Sequence, residues 1–349
     1  MQSLNPLRAY TAHLLALSIR ELFPQAQLLG GEVNEIGFFY RFRCPQPLSL
    51  EILPLMEEKM RGFVKAPPPM RLQEMVPSNA ALLFHDLKEY LLEERCLESE
   101  EILVSVIGLG KYWDLAIDNP KPMAHFAFAL LELKSDGEAW EIFGSAFPEK
   151  DEVKGFIKRY RESKKNDWRV IGPRLKWLVA IGDKPLWLTR GVLLEKKFYD
   201  LFKESLPPGS REVKTPSSSK KTFIESHTAL FEAEPGGAIW EWHETGDILT
   251  HFLLKEEVDP FLKSSLQFFE KTLKMLGFES YHKLEEPGPC IEFRLYDKLG
   301  RSFKGPQLKI DRTPLPSSLQ GKVRVTRTFF PDLQTMMLKW IEVQAVSLQ

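Results

Sequence analysis

Apolar side chains recur at helical spacing near the start of the chain, at Leu7, Tyr10, Leu14, Leu15, Ile19 and Leu22. That period predicts one helix, which Ser3 or Asn5 can cap, Pro6 suits in its first turn and Pro24 stops. The pattern then changes to alternation: Val33 to Phe42, rich in aromatics around Gly37, predicts strand, turn and strand. Helical spacing returns over Leu50 to Val64, ended by Pro67-Pro68-Pro69, and a third helix is predicted from Asn79 to Cys96. Ile102 to Leu109 and His125 to Leu133 are strand-like and bracket a loop from Asp114 to Pro122. Helices followed by strands in this mixture predict an α+β domain ending near residue 145.

A charged helix from Asp151 to Lys165 comes next. The second half opens with Leu186 to Gly191 and a helix from Val192 to Leu206. Leu206 to Lys221 is rich in Pro, Gly and Ser, the composition of a flexible linker. Trp240 and Trp242 lie two apart on a predicted strand and so share one face. A helix from Glu256 to Leu276 precedes two strands, Cys290 to Asp297 and Ser302 to Ile310, joined by the Lys298-Leu299-Gly300-Arg301 turn. Gly108-Leu109-Gly110 opens like a dinucleotide fingerprint, but Trp113 stands where the third glycine belongs, so it reads as a strand end.

At 349 residues the chain exceeds the size at which one core usually divides, so two domains are expected. Its 47 basic side chains balance 48 acidic ones, so no overall field draws it to nucleic acid or an anionic membrane, and RNA binding would need a local patch. Cys44, Cys96 and Cys290 include no CxxC pair, which argues against a disulfide framework and a zinc finger. His243, Glu244 and His251 do not have metal-ligand spacing either, and solvated or capping roles are expected. No apolar run approaches the roughly 18 residues that span a bilayer. A soluble cytoplasmic protein is expected.

Phe143-Gly144-Ser145-Ala146-Phe147-Pro148 is followed by the charged helix with Lys164-Lys165, and then by Asp167, Arg169 and Gly172. In order and spacing this segment resembles the junction of editing and catalytic domains in the threonyl-tRNA synthetase family. The resemblance implies an editing-like α/β domain at 1–145, a linker helix region at 146–178, and a class II synthetase-like antiparallel sheet flanked by helices at 179–349. It also sets Arg211-Glu212-Val213-Lys214-Thr215-Pro216 on the strand of the first class II motif, implying a dimer interface at Arg211, Val213 and Pro216. The match begins after the small N-terminal domain of many members and stops where an anticodon-binding domain would start, so a complete ligase is not expected.

The residues that this family uses for chemistry are mostly replaced. Of the two histidines in its HxxxHLLA helix, Ala9 stands at the first and only His13 remains. Its DLCRGPH loop is matched by Asp114 to Pro120, with Ala116 at the cysteine and Pro120 at the histidine; Asp118 and His125 are the polar groups nearby that could substitute. Each donor or base lost from such a pocket is worth orders of magnitude in rate, so His13 is expected as a packed remnant. The synthetic half is barer. No Arg lies between Phe231 and Thr250, where the second motif should supply one; Thr326 replaces a zinc histidine, Pro331 a glycine and Thr335 the ATP-binding arginine. Cys290, in Pro287-Gly288-Pro289-Cys290-Ile291-Glu292-Phe293, stands at a lysine, and Lys309 at a glutamine. Phosphoryl charge needs fixed guanidinium donors, and these are missing.

The resemblance therefore implies an inactive paralogue, a pseudoenzyme without cofactor or metal, that binds tRNA, the genuine synthetase or another protein and forms a homodimer. Lys158, Arg159, Lys164 and Lys165 are the candidate RNA contacts, although a charge run is commonly only the wet face of a helix. Two alternatives stay open: a stand-alone hydrolase of mischarged tRNA built on His13, and a scaffold protein unrelated to translation.

Overall fold

In the computed structural model the first predicted helix is α1 (Asn5–Leu22), and every residue from Leu7 to Ile19 is buried. A helix covered on all sides is a core element rather than a surface one. The structure describes residues 3–214, 220–234, 236–243, 246–278, 281–285, 290–311 and 314–344, and the chain divides into two units, Met1–Arg161 and Glu162–Gln349.

In the first unit α1 is followed by β1 (Gln27–Val33), β2 (Phe38–Arg43), α2 (Ile52–Lys65), β3 (Met70–Met75), α3 (Pro77–Asp86), α4 (Tyr90–Leu97), β4 (Val104–Leu109), β5 (Tyr112–Leu115), β6 (Ala127–Ser135) and β7 (Trp140–Phe147). One antiparallel sheet has the order β1-β2-β7-β6, and a smaller one the order β3-β4-β5. Phe38, Tyr40, Phe42 and Ile142 of the larger sheet pack with Leu14, Leu15, Met56 and Met60 of α1 and α2. The helix expected from Asn79 to Cys96 is two helices. Lys88 takes φ +60°, the Glu89 N–H bonds the Phe84 carbonyl at 2.8 Å and the Lys88 N–H that of His85 at 2.9 Å, a helix-ending loop that usually carries glycine. No strand was expected at β3, β5 or β7, and the first strand, expected to begin at Val33, ends there.

α5 (Lys150–Lys165) carries the chain onward to α6 (Trp168–Arg174), β8 (Leu178–Ile181), β9 (Lys184–Trp187), α7 (Thr189–Glu204), β10 (Arg211–Glu212), α8 (Lys220–Ala233), β11 (Ala238–His243), β12 (Gly246–Leu254), α9 (Lys255–Met275), β13 (Tyr281–Glu285), β14 (Cys290–Tyr296), β15 (Ser302–Asp311), β16 (Lys322–Thr328) and α10 (Leu333–Gln344). Seven strands form one sheet in the order β10-β11-β12-β16-β15-β14-β13, antiparallel except where β10 joins β11. One face of this sheet is apolar: Trp240, Leu249, Phe293 and Leu308 pack with Phe198 of α7, Phe269 of α9 and Met336 of α10. The whole is the α+β class that the sequence implies. Leu186 to Gly191 divides between β9 and the first turn of α7, and β8 was not expected.

Gly144, Ser145, Asp167 and Gly172 of the junction motif have local structural work. An ideal Cβ at Gly144 would lie 2.8 Å from the Ala129 carbonyl oxygen, so β7 can approach β6 only with glycine there. Ser145 donates to the Ile36 carbonyl at 2.6 Å, pinning the turn between β1 and β2. Asp167 caps α6 by accepting the Arg169 N–H at 2.8 Å, and a Cβ at Gly172 would sit 2.6 Å from Leu178 Cγ.

Candidate functional site

His13 lies on α1 with no exposed surface. Its Nε2 accepts the Ile117 backbone N–H at 3.0 Å, and its Nδ1 is 3.4 Å from Asp114 Oδ2, close enough for electrostatic attraction without a well-aimed hydrogen bond. The same Oδ2 accepts the hydroxyls of Tyr40 at 2.6 Å and Tyr112 at 2.7 Å, while Oδ1 accepts the Leu115 N–H at 2.8 Å. Burial pushes the Asp114 carboxyl up, but His13, Tyr40 and Tyr112 outweigh it and leave the group below its ordinary value. Burial, together with the Asp114 charge, holds both phenols well above theirs, so they stay donors. Ala9 and Pro120 are buried and Ala116 is half-buried, whereas Asp118 and His125 are exposed. Tyr40 and Tyr112 were not anticipated, because no local spacing links them to His13.

The second candidate is the other face of the large sheet. Thr250, Thr326, Lys309 and Cys290 are paired in succession across β12, β16, β15 and β14, so they form one row. Three of these are positions where the resemblance put synthetase site groups. Beside the row, buried Glu241 accepts from His243 Nε2 at 2.7 Å and lies 3.8 Å from His227 Nε2, and His227 Nδ1 meets Thr250 Oγ1 at 2.9 Å. Burial pushes the His227 imidazole down to about 4 against the pull of Glu241. Arg324 is engaged by Asp311 and, at 3.0 Å, by Thr228; Arg294 lies 2.7 Å from Glu292. Both guanidiniums are thus held by the protein's own groups. Thr335 donates to Asp332 at 2.8 Å in the first turn of α10. His251 packs edge-on against Phe261 and is not joined to His243, and no group of three or more His, Cys, Asp or Glu that could hold a metal occurs among the described residues. Glu244, Pro287, Gly288 and Pro289 lie outside the described residues.

Among curated proteins, the threonine–tRNA ligase of Gloeobacter violaceus is 30% identical over 317 residues, 82% of this chain and 50% of that protein. The one from Thermosynechococcus vestitus is 28% identical over 313 residues, 82% of this chain and 51% of its own. This chain resembles the threonyl-tRNA synthetases. That of Citrifermentans bemidjiense is 29% identical over 208 residues, 55% of this chain and 32% of that one, so the chain spans a third to a half of these synthetases. No family model matches. The RNA binding domain of threonyl-tRNA synthetase from Cryptosporidium parvum Iowa II aligns at TM-score 0.42 and 15% identity over 51% of this chain and 72% of that one, too distant to carry an argument.

The strand expected as a dimer interface, β10, is short. Arg211 pairs with Glu234 at 2.7 Å, the Val213 N–H bonds the Trp240 carbonyl at 3.0 Å while its side chain packs with Phe231 and Ile239, and Pro216 lies outside the described residues. On α5, Lys158, Arg159, Lys164 and Lys165 are all exposed. Lys158 and Lys165 share a stripe with Lys150, Lys154 and Arg161 at spacings of three and four residues; Arg159 and Lys164 fall outside it. No helix among the described residues is long and apolar enough to cross a membrane.

Proposed function

We propose that the chain is a catalytically inactive relative of threonyl-tRNA synthetase that binds tRNA or a protein partner, the genuine synthetase among them. The observation that carries this reading is the burial of both His13 nitrogens. Nε2 takes a backbone amide, and Nδ1 is shut against buried Asp114 with no exposed surface, so neither faces a pocket where it would activate a water or polarise an ester. Editing would require opening a packed network. On the synthetic side, Thr335 donates its hydroxyl to Asp332, the cap of α10, where an ATP-binding guanidinium would be needed.

Binding is what remains for surfaces of this ancestry, and the exposed cations of α5 supply a local basic stripe on a chain that is neutral overall. The cytoplasm is the compartment this reading requires, and self-association through the second unit belongs to it. The test is a pair of measurements on the purified chain: deacylation of seryl-tRNA, expected no faster than without protein, and retention of tRNA on a filter, expected to weaken with salt. Deacylation well above background that disappears in His13→Ala would replace the binding role with a hydrolase.

A further inference from the structure

The larger sheet of the first unit ends in a strand edge that neither site uses. β6 is last in the order β1-β2-β7-β6, and residues Phe126 to Ala129 border a groove of about 410 Å³ between α2 and α5. Leu130 shows which side of the strand faces away from β7: its N–H donates to Glu57 Oε1 at 2.8 Å, so α2 already fills that position and the open stretch of the edge precedes it. Backbone groups alternate in direction along a strand, so the N–H and C=O of Phe128, two residues earlier, face the same opening.

Two features define what fits. The groove's interior is apolar, with Phe128, Val153 and Ile157. Its walls are basic: exposed Arg61 and Lys65 come from α2, exposed Lys150 and Lys154 from α5. Arg61 pairs with Glu57 and Lys154 with Asp151 at 2.8 Å, whereas Lys65 and Lys150 have no ion pair among the described residues.

We propose that this groove docks an extended acidic segment of a partner protein, laid along β6 as an added strand. The inference rests on the binding role above and names the partner's chemistry. Main-chain bonds to the edge at Phe128 would hold such a segment, alternate apolar side chains would enter the groove, and its carboxylates would meet Lys65 and Lys150. A single-stranded RNA would satisfy the cations but offers no alternating N–H and C=O groups for the strand edge.

A fluorescein-labelled octapeptide of alternating Glu and Val is the probe, with a Lys and Val octapeptide as control and an oligouridylate as competitor. Fluorescence anisotropy on the full chain should detect binding of the acidic peptide alone. The Lys65→Glu, Lys150→Glu double variant, whose changes are on exposed side chains, should keep its melting temperature and weaken binding roughly tenfold or more. Hydrogen exchange of the Phe128 amide should slow when the peptide binds. No binding at millimolar peptide, equal binding in the double variant, or an unprotected Phe128 amide would each overturn the proposal. Tighter binding of oligouridylate, lost in the same variant, would overturn it in favour of RNA. A chain that retains tRNA but not the peptide loses this inference and keeps the proposed function.

Discussion

Ile117 donates its backbone N–H to His13 Nε2 across 3.0 Å, joining residues 104 apart in the chain. The bond fixes the tautomer: with Nε2 an acceptor, the ring proton resides on Nδ1, 3.4 Å from Asp114 Oδ2. The loop that follows β5 is thereby tied to α1.

His13→Ala should therefore act on stability. It strands the Ile117 N–H, removes a partner of a buried carboxylate and opens a cavity, which together should cost about 2–4 kcal/mol. His13→Gln, whose carbonyl oxygen can accept from Ile117, should recover part of the loss. Urea unfolding measures both, and a loss in His13→Ala below about 1 kcal/mol would mean that the bond is not a structural tie.

His227 and Asp247 should contribute to pH dependence with opposite signs. Burial holds His227 down to about 4, so its contribution is complete above the ordinary value of 6.5 and is lost as pH falls toward 4. Burial pushes Asp247 up to about 6 despite the amides of Phe330 and Phe329 and nearby Arg327. Its contribution is complete below the ordinary 3.8 and is lost as pH rises through 6. Each group exchanges one proton on unfolding, with opposite sign, so between about pH 4 and 6 the two slopes largely cancel. Relative to the parent, His227→Phe should lose stability with rising pH in that window and Asp247→Asn should gain it. Urea midpoints across the window decide; slopes of the same sign in both variants would refute the assignment.

Periodicity made α1, α2, α9 and the hairpin of β14 and β15 legible, because each buries one pattern of apolar positions. The break between α3 and α4 was not, since Lys88 holds the left-handed position where glycine usually announces a helix end. β3 is exposed over most of its length and so has no alternation to read, while the Gly144-Ser145-Ala146 run of β7 lacks the bulky residues that mark strands. The surroundings of His13 were hidden for a different reason. Tyr40, Tyr112 and Ile117 come from separate strands and a loop, and no single segment encodes their meeting. The row from Thr250 to Cys290 depends on register across four strands, which none of those strands specifies alone.

Threonine-dependent pyrophosphate exchange should not exceed a protein-free control. Thr335 spends its hydroxyl on Asp332, and Arg324 and Arg294 are already bound to Asp311 and Glu292, so neither of these guanidiniums is released for a triphosphate without breaking an ion pair. Thr335→Arg should not confer exchange, and it should loosen the start of α10 by about 1 kcal/mol. Exchange above control in either protein would contradict this account.

The last prediction concerns self-association. Val179 and Leu186 are cross-strand partners in the hairpin of β8 and β9, yet they are 42% and 55% exposed, and Ile181 two residues on is 63% exposed. Val192 and Leu193 in the first turn of α7 are 55% and 56% exposed. Single exposed aliphatics are ordinary, but five of them on the consecutive elements β8, β9 and α7 make this the surface at which self-association is expected. A two-fold contact covers such a surface with a copy of itself, apolar against apolar, and needs roughly 1,200 Å² or more of buried area to persist. Val213 is a poor place to test the interface, because its side chain packs with Phe231 inside the unit and a charge there would disturb the fold. Ile181→Asp combined with Leu193→Asp places the charges on exposed positions instead. Light scattering during size-exclusion chromatography should give a mass of two chains for the parent at micromolar concentration and one for the double variant, each with an unchanged circular dichroism spectrum. A parent that elutes with the mass of one chain would end the idea.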